Sequence, residues 1–157
     1  MNGSRDLVSY FEKDIRVSIA FPPTWDYGSN ADFKLIVMAL SKNGYRTNIG
    51  VSVHKTEIDS ADDFRVYIAQ ANANLQGEYH QYKKINELDC WIDGRPAYHQ
   101  HYQWCSEEHK LAFDQTLTLI IDPTGALYEV IGTCLSLDAK EGVPVLEGVI
   151  EGIRIIL

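Results

Sequence analysis

Apolar and polar positions alternate from Ile15 to Phe21, with Ile15, Val17, Ile19 and Phe21 set against Arg16, Ser18 and Ala20, the period of a half-buried strand. Pro22-Pro23 stops that strand, and Trp25 just beyond it is expected to lid one end of a core. A polar connection, Tyr27-Gly28-Ser29-Asn30, leads into the continuous apolar run Phe33–Leu40, which predicts a strand covered on both faces. Asn43-Gly44 predicts a tight hairpin turn, and its partner strand over Tyr45–Thr56 carries Ile49, Val51 and Val53 on one face.

At Ser60 the period changes. Ser60-Ala61-Asp62-Asp63 reads as a helix start, with Asp63 in the third helical position and two carboxylates near the positive end of the helix dipole. Phe64, Ile68, Ala71 and Leu75 then recur at helical spacing, and Gly77 is expected to end the helix. Four strands follow in close succession at Tyr82–Ile92, Ala97–Cys105, Ala112–Ile121 and Ala126–Leu135, separated by Asp93–Pro96, Ser106–Lys110 and Asp122–Gly125. Gly and Pro in the first and third connections suit tight turns and oppose strand interiors. Gly142-Val143-Pro144 opens a second helix with Val145, Leu146, Val149, Ile150 and Ile153 as its buried stripe, which Gly148 and Gly152 weaken or bring close to the sheet. Ile153–Leu157 closes the chain as a strand or an extended tail. The fold class is α+β, an antiparallel sheet flanked by helices, in one domain over residues 1–157.

The faces of the meander carry the functional expectation. If Asp122–Gly125 is a four-residue loop, Ile121 pairs with Ala126, and Phe113, Leu117, Leu119 and Ile121 share a core face with Tyr128, Val130, Gly132 and Cys134. Asp114, Thr116 and Thr118 then lie beside Glu129, Ile131 and Thr133 on a semi-polar face. Burying Tyr98, Tyr102 and Trp104 removes the most apolar area from water, which turns His99, His101 and Gln103 to that same semi-polar face. The expected binding surface is therefore His99, His101, Gln103, Asp114, Thr116, Thr118 and Glu129, with the oily side of the sheet held against the helices.

His99 and His101, two apart on a strand, can begin a metal site if carboxylates such as Asp114 and Glu129 converge, but no motif brings them together. Hydrogen-bonded, partly exposed histidines are the plainer expectation. Cys90, Cys105 and Cys134 form no Cys-x-x-Cys pair, and their spacing across strands suits small buried hydrophobes rather than a disulfide. Neither Cys105 nor Cys134 sits where a nucleophile would be activated. Asp62-Asp63 and Glu107-Glu108 are explained by capping and loop solvation. No glycine-rich phosphate loop is present, and no catalytic residue, cofactor or bound metal is expected.

Composition narrows the classes further. The 157 residues are 45% hydrophobic, enough for a substantial single core, and a formal net charge of −8 with scattered lysines and arginines argues against a nucleic-acid binder. No window is apolar enough to span a bilayer, and Met1–Asp6 lacks the start of a secretory signal, so the expected location is cytoplasmic, or periplasmic or envelope if a signal segment has been removed.

Four stretches together resemble the PsbP/Mog-type fold and, within it, the DcrB-related family of bacterial proteins. They are Ile19-Ala20-Phe21-Pro22-Pro23-Thr24-Trp25, Asp93-Gly94-Arg95-Pro96-Ala97-Tyr98, Gly125-Ala126-Leu127-Tyr128 and Ile150-Glu151-Gly152-Ile153-Arg154-Ile155. The resemblance implies an α/β/α sandwich around an antiparallel sheet and a generally non-enzymatic role in binding other proteins, as photosystem accessory subunits, envelope lipoproteins, a nuclear import factor or chaperones of secreted effectors. It supplies no active-site residue. The expectation is a protein-binding adaptor or chaperone, with a homodimer left open; the alternatives are a small-molecule or metal-binding enzyme centred on His99 and His101, and a structural accessory subunit.

Overall fold

The computed structural model describes residues 6–156; Met1–Arg5, and Leu157 of the expected closing strand, lie outside that range. Four long strands, β6 (Lys83–Ile92), β7 (Arg95–Ser106), β8 (Leu111–Ile121) and β9 (Ala126–Leu135), form the expected meander. They continue through β5 (Asn48–Lys55), β4 (Leu35–Met38) and β3 (Asp26–Gly28) into a seven-stranded sheet ordered β3-β4-β5-β9-β8-β7-β6, antiparallel at every pairing. A smaller sheet orders β1 (Val8–Glu12), β2 (Val17–Phe21) and β10 (Arg154–Ile155) as β1-β2-β10. Helices α1 (Ala61–Glu78) and α2 (Ala139–Glu151) complete an α+β fold.

The turns set the register. Asp93 and Gly94 both take left-handed φ, 49° and 72°, so the β6–β7 connection is a two-residue turn and Arg95 and Pro96 belong to β7 rather than to a loop. In the β8–β9 connection Gly125 donates its N–H to Asp122 O at 2.9 Å with φ 86°, and Asp122 donates to Ala126 O at 2.9 Å. That leaves a three-residue loop, Pro123-Thr124-Gly125, in place of the expected four. Ile121 therefore pairs with Leu127, not Ala126. The slip of one residue reverses every side chain of β9: Tyr128, Val130, Gly132 and Cys134 lie with Asp114, Thr116 and Thr118, and Glu129, Ile131 and Thr133 lie with Leu117 and Leu119.

Both faces are consequently covered. On one, Phe64 and Leu75 of α1 bury against Tyr98, Tyr102, Leu117, Leu119, Ile121 and Leu127. On the other, Leu146, Val149 and Ile150 of α2 and Val17, Ile19 and Phe21 of the small sheet share a core with Val51, Ile120, Val130 and Cys134. Trp25 joins this second core, as expected. The expected division into an oily covered side and an open semi-polar side is thus corrected. Shortening the loop moved the apolar half of β9 beside the histidines, and a second layer had to cover it.

Local details follow the same logic. Ser60 caps α1 by accepting the Asp63 N–H at 3.1 Å, as read from the sequence. Gly77 does not end the helix, which runs on to Glu78; Tyr79 leaves in an extended conformation because its ring packs on Trp104 and Tyr102, 4.7 and 5.8 Å between centroids. Helix α2 begins at Ala139, before Gly142, and Val145 is only half-buried. The close approach to the sheet occurs at Gly142, where a Cβ would lie 2.9 Å from Cys134 Sγ, and not at Gly148 or Gly152. The segment expected to be buried over Phe33–Leu40 is paired only at Leu35–Met38, with Leu35 and Val37 inward and Ile36 and Met38 half-buried, since its outer neighbour β3 has just three residues. All three cysteines are free, Cys134 fully buried opposite Asp114.

Candidate functional site

The seven residues singled out from the sequence separate into two groups. His99, His101 and Gln103 on β7 stand opposite Thr118, Thr116 and Asp114 on β8, in the facing expected for them, but Glu147 of α2 and Ser136 of the turn before it close over the group. His99 Nδ1 lies 2.8 Å from Thr118 Oγ1, and its Nε2 lies 3.0 Å from Glu147 Oε2 on α2. His101 Nε2 is 2.5 Å from Asp114 Oδ2, and Asp114 also accepts from Gln103 Nε2 at 3.2 Å and from the Ser136 hydroxyl at 2.6 Å. Asp114 is 1% exposed and Thr116 is fully buried, its hydroxyl without a partner. Burial pushes the His99 imidazole below its ordinary pKa, partly offset by the Glu147 carboxylate.

Glu129 is separated from the rest. It projects on the α1 side, where burial raises its carboxyl above the usual range and His54 stands 4.0 Å away. Among the described residues no three His, Cys, Asp or Glu side chains converge as ligands of a metal would.

The opening lies elsewhere, between the start of α1 and the β6–β7 hairpin. Edge strand β6 carries Asp89 and Trp91 on the α1 face, opposite Tyr98 and Pro96. Helix α1 is about 27 Å long, and its Phe64 and Leu75 settle over β7 and β8, leaving β6 partly uncovered. The result is a groove of about 480 Å³ with an apolar floor of Phe64, Ile68, Ala97 and Ile121. Trp91, 70% exposed, stands at its margin, and Asp59, Arg65 and Asp89 form a charged rim.

Two devices hold the groove's walls. At one end Arg95 Nε lies 2.6 Å from Asp122 Oδ1, tying the β6–β7 turn to the β8–β9 turn. Burial alone would raise the Asp122 carboxyl, but the Thr124 hydroxyl, bonded at 2.6 Å, and the Arg95 guanidinium bring it below its ordinary value. Toward the other end Gln100 bonds to Asn72 of α1 and to the hydroxyls of Tyr98 and Tyr82, and Tyr98 donates to Glu87 of β6. Burial and that carboxylate push the Tyr98 phenol up to about 12. This network clamps helix to edge strand near Asn72 and leaves the gap open only near Phe64. Sequence reasoning missed the groove; its one signal was Glu87, Asp89 and Trp91 in alternate positions, a tryptophan on an acidic strand face.

A second, smaller cavity of about 310 Å³ lies on the opposite face, lined by Leu88, Cys90, Ile92, His99, Glu147 and Ile150.

No family model and no curated protein matches the chain. Solved structures do. LpqN of Mycobacterium tuberculosis, involved in cell envelope biogenesis, superposes with a TM-score of 0.73 at 10% identity, covering 99% of this chain and 94% of that one. The cyanobacterial PsbP of Synechocystis gives 0.66 at 13% identity over 98% and 95% of the two chains. The Ran-binding protein Mog1p of Saccharomyces cerevisiae gives 0.61 at 8% identity over 98% and 97%. Along its whole described length, this chain has the PsbP/Mog-like fold.

Proposed function

We propose that this chain is a non-enzymatic adaptor or accessory domain that holds a segment of another protein in the groove between α1 and the β6–β7 hairpin. The observation that carries the reading is Trp91, 70% exposed at the margin of a groove of about 480 Å³ lined by Phe64, Ile68, Ala97 and Ile121. A large aromatic next to a desolvated pocket is the commonest kind of binding anchor. A Ran-binding protein among the structures of the same fold supports a protein partner. His99 and His101 lie beneath α2, His99 bonded to Thr118 and Glu147 and His101 to Asp114.

Affinity purification from native lysate tests the proposal, with the folded chain and its Trp91→Glu variant as parallel baits. Proteins recovered by the first and lost with the second are the expected result. Recovery of the same set by both baits overturns it.

A second reading has one specific observation behind it: Thr118, His99 and Glu147 form a hydrogen-bonded series beside the 310 Å³ cavity, as a small-molecule site would use. Under that reading a metabolite raises the melting temperature of the chain and fails to raise that of His99→Ala. A screen in which no compound separates the two proteins removes it.

A further inference from the structure

Resting on the groove reading, we propose that the occupant is an extended segment that adds as an eighth strand to the Glu87–Trp91 half of β6 and carries a lysine or arginine two residues from a large apolar side chain. The backbone supplies the first part of the argument. A two-residue turn at Asp93-Gly94 makes Ile92 and Arg95 a hydrogen-bonded pair, and pairs alternate from there along the ladder. Trp91–Pro96 is then a non-bonded pair, as Pro96 requires, having no N–H. Cys90 and Leu88 bond inward to β7. Glu87, Asp89 and Trp91 turn their N–H and C=O groups outward, where the sheet ends.

The same three residues direct their side chains to the α1 face, so an added strand sets alternate side chains, one every two residues, over the groove. Charge then selects them. Arg65 is engaged by Asp62 at 2.9 Å, and Glu87 by Lys84 and Tyr98, whereas Asp59 and Asp89 take part in no ion pair among the described residues. A hydrogen bond to the Asp63 carboxylate, and that group's negative charge, raise the Asp59 carboxyl. A side chain opposite Asp89 is therefore basic, and one two places along, opposite Trp91, is apolar.

Edge protection is distributed accordingly. Lys83, Lys84 and a bulge between Lys84 and Asn86 guard the first half of β6, as exposed edges are usually guarded. From Asn86 to Ile92 the pairing is regular, and among the described residues no strand pairs with its outer side. The opposite edge, β3, offers only three residues, and its Tyr27 stacks on Tyr10 at 4.0 Å.

The test selects random twelve-residue peptides on phage against the folded full chain, then synthesises the enriched sequences. The expected sequences place Lys or Arg two positions from Leu, Ile, Phe, Tyr, Trp or Met. Their affinity falls about tenfold or more for Asp89→Lys, and about thirtyfold or more for Trp91→Ala. N-methylation of alternate peptide amides abolishes binding, and hydrogen exchange slows at Glu87, Asp89 and Trp91 on binding. Asp89→Pro, which removes one outward N–H and no ladder bond, also blocks binding; circular dichroism verifies that it folds, and Asp89→Lys decides if it does not. Peptides that need Trp91 but tolerate N-methylation and Asp89→Lys, or that space their anchors by three and four residues, overturn strand addition and leave the groove reading standing. Self-association through β6, seen as a dimer that Asp89→Lys dissociates, overturns the peptide as occupant. Absence of enrichment, or enrichment independent of Trp91, overturns both readings.

Discussion

The two faces of the seven-stranded sheet solve the same covering problem differently. On the α2 face a helix and a three-stranded sheet divide the area, most large apolar side chains are enclosed although Leu88 at the β6 edge stays 48% exposed, and polar groups of β7 find partners on β8 and α2: His99 with Thr118 and Glu147, His101 and Gln103 with Asp114. On the α1 face one helix of 18 residues does the work alone, and the sheet is wider than the helix. Closure there depends on aromatic rings and an amide network, and it stops short of Trp91. A sheet covered twice on one side and once on the other keeps its free surface at an edge rather than on a face.

Leu146 and Trp91 are the sharpest pair for breaking that comparison. Leu146→Ala removes a fully buried side chain that touches Gly132, and about 4 kcal/mol of unfolding free energy is the expected loss by urea titration. Asp114→Ala leaves His101, Gln103 and Ser136 without their shared acceptor inside the core, at an expected cost of about 3 kcal/mol in the same measurement. A cost below about 1 kcal/mol for either change means the α2 face is less closed than described.

Tyr98→Phe tests the α1 side. It removes the hydroxyl that links Asn72, Gln100 and Glu87, and about 1.5 kcal/mol is expected, with faster amide exchange along β6. The effect of His99 is confined by pH. Its imidazole is held below the unfolded value, so the unfolded chain binds more protons as the pH falls through the ordinary histidine range near 6.5. Stability therefore declines on acidification from neutrality. His99→Gln flattens that decline, and an equal slope in the two proteins contradicts the assignment. Trp91→Ala is expected to move stability by less than about 0.5 kcal/mol, because the ring buries little; a loss several times larger would make Trp91 part of the core instead of the rim.

Much of this architecture was legible in the residues, and the failures have identifiable causes. Strand positions followed from alternation and turn chemistry, and Ser60 announced α1. That His99, His101 and Gln103 share a face with Asp114, Thr116 and Thr118 follows from the inward preference of Tyr98 and Tyr102, whereas no residue of β7 or β8 announced which of them pair. The placement of Glu129 failed because Asp122-Pro123-Thr124-Gly125 is compatible with a loop of three or of four residues, and only the Asp122–Ala126 hydrogen bond chooses. β1 and β3 are short, largely exposed strands that pair with the next strand in the chain, and with so few inward side chains they carry no apolar alternation for local pattern to mark. The groove was hidden for a related reason: it is the part of a sheet that a helix fails to reach, a property of widths rather than of motifs.

The order in which the layers are made has a consequence during synthesis. The meander and α1 precede α2, and β10, which completes the small sheet, comes at the very end of the described chain. A nascent polypeptide still lacking those last segments displays a naked flank of valine, isoleucine and imidazole to its surroundings. Slow release, or early termination within α2, therefore yields a species that is well formed on one side and adhesive on the other.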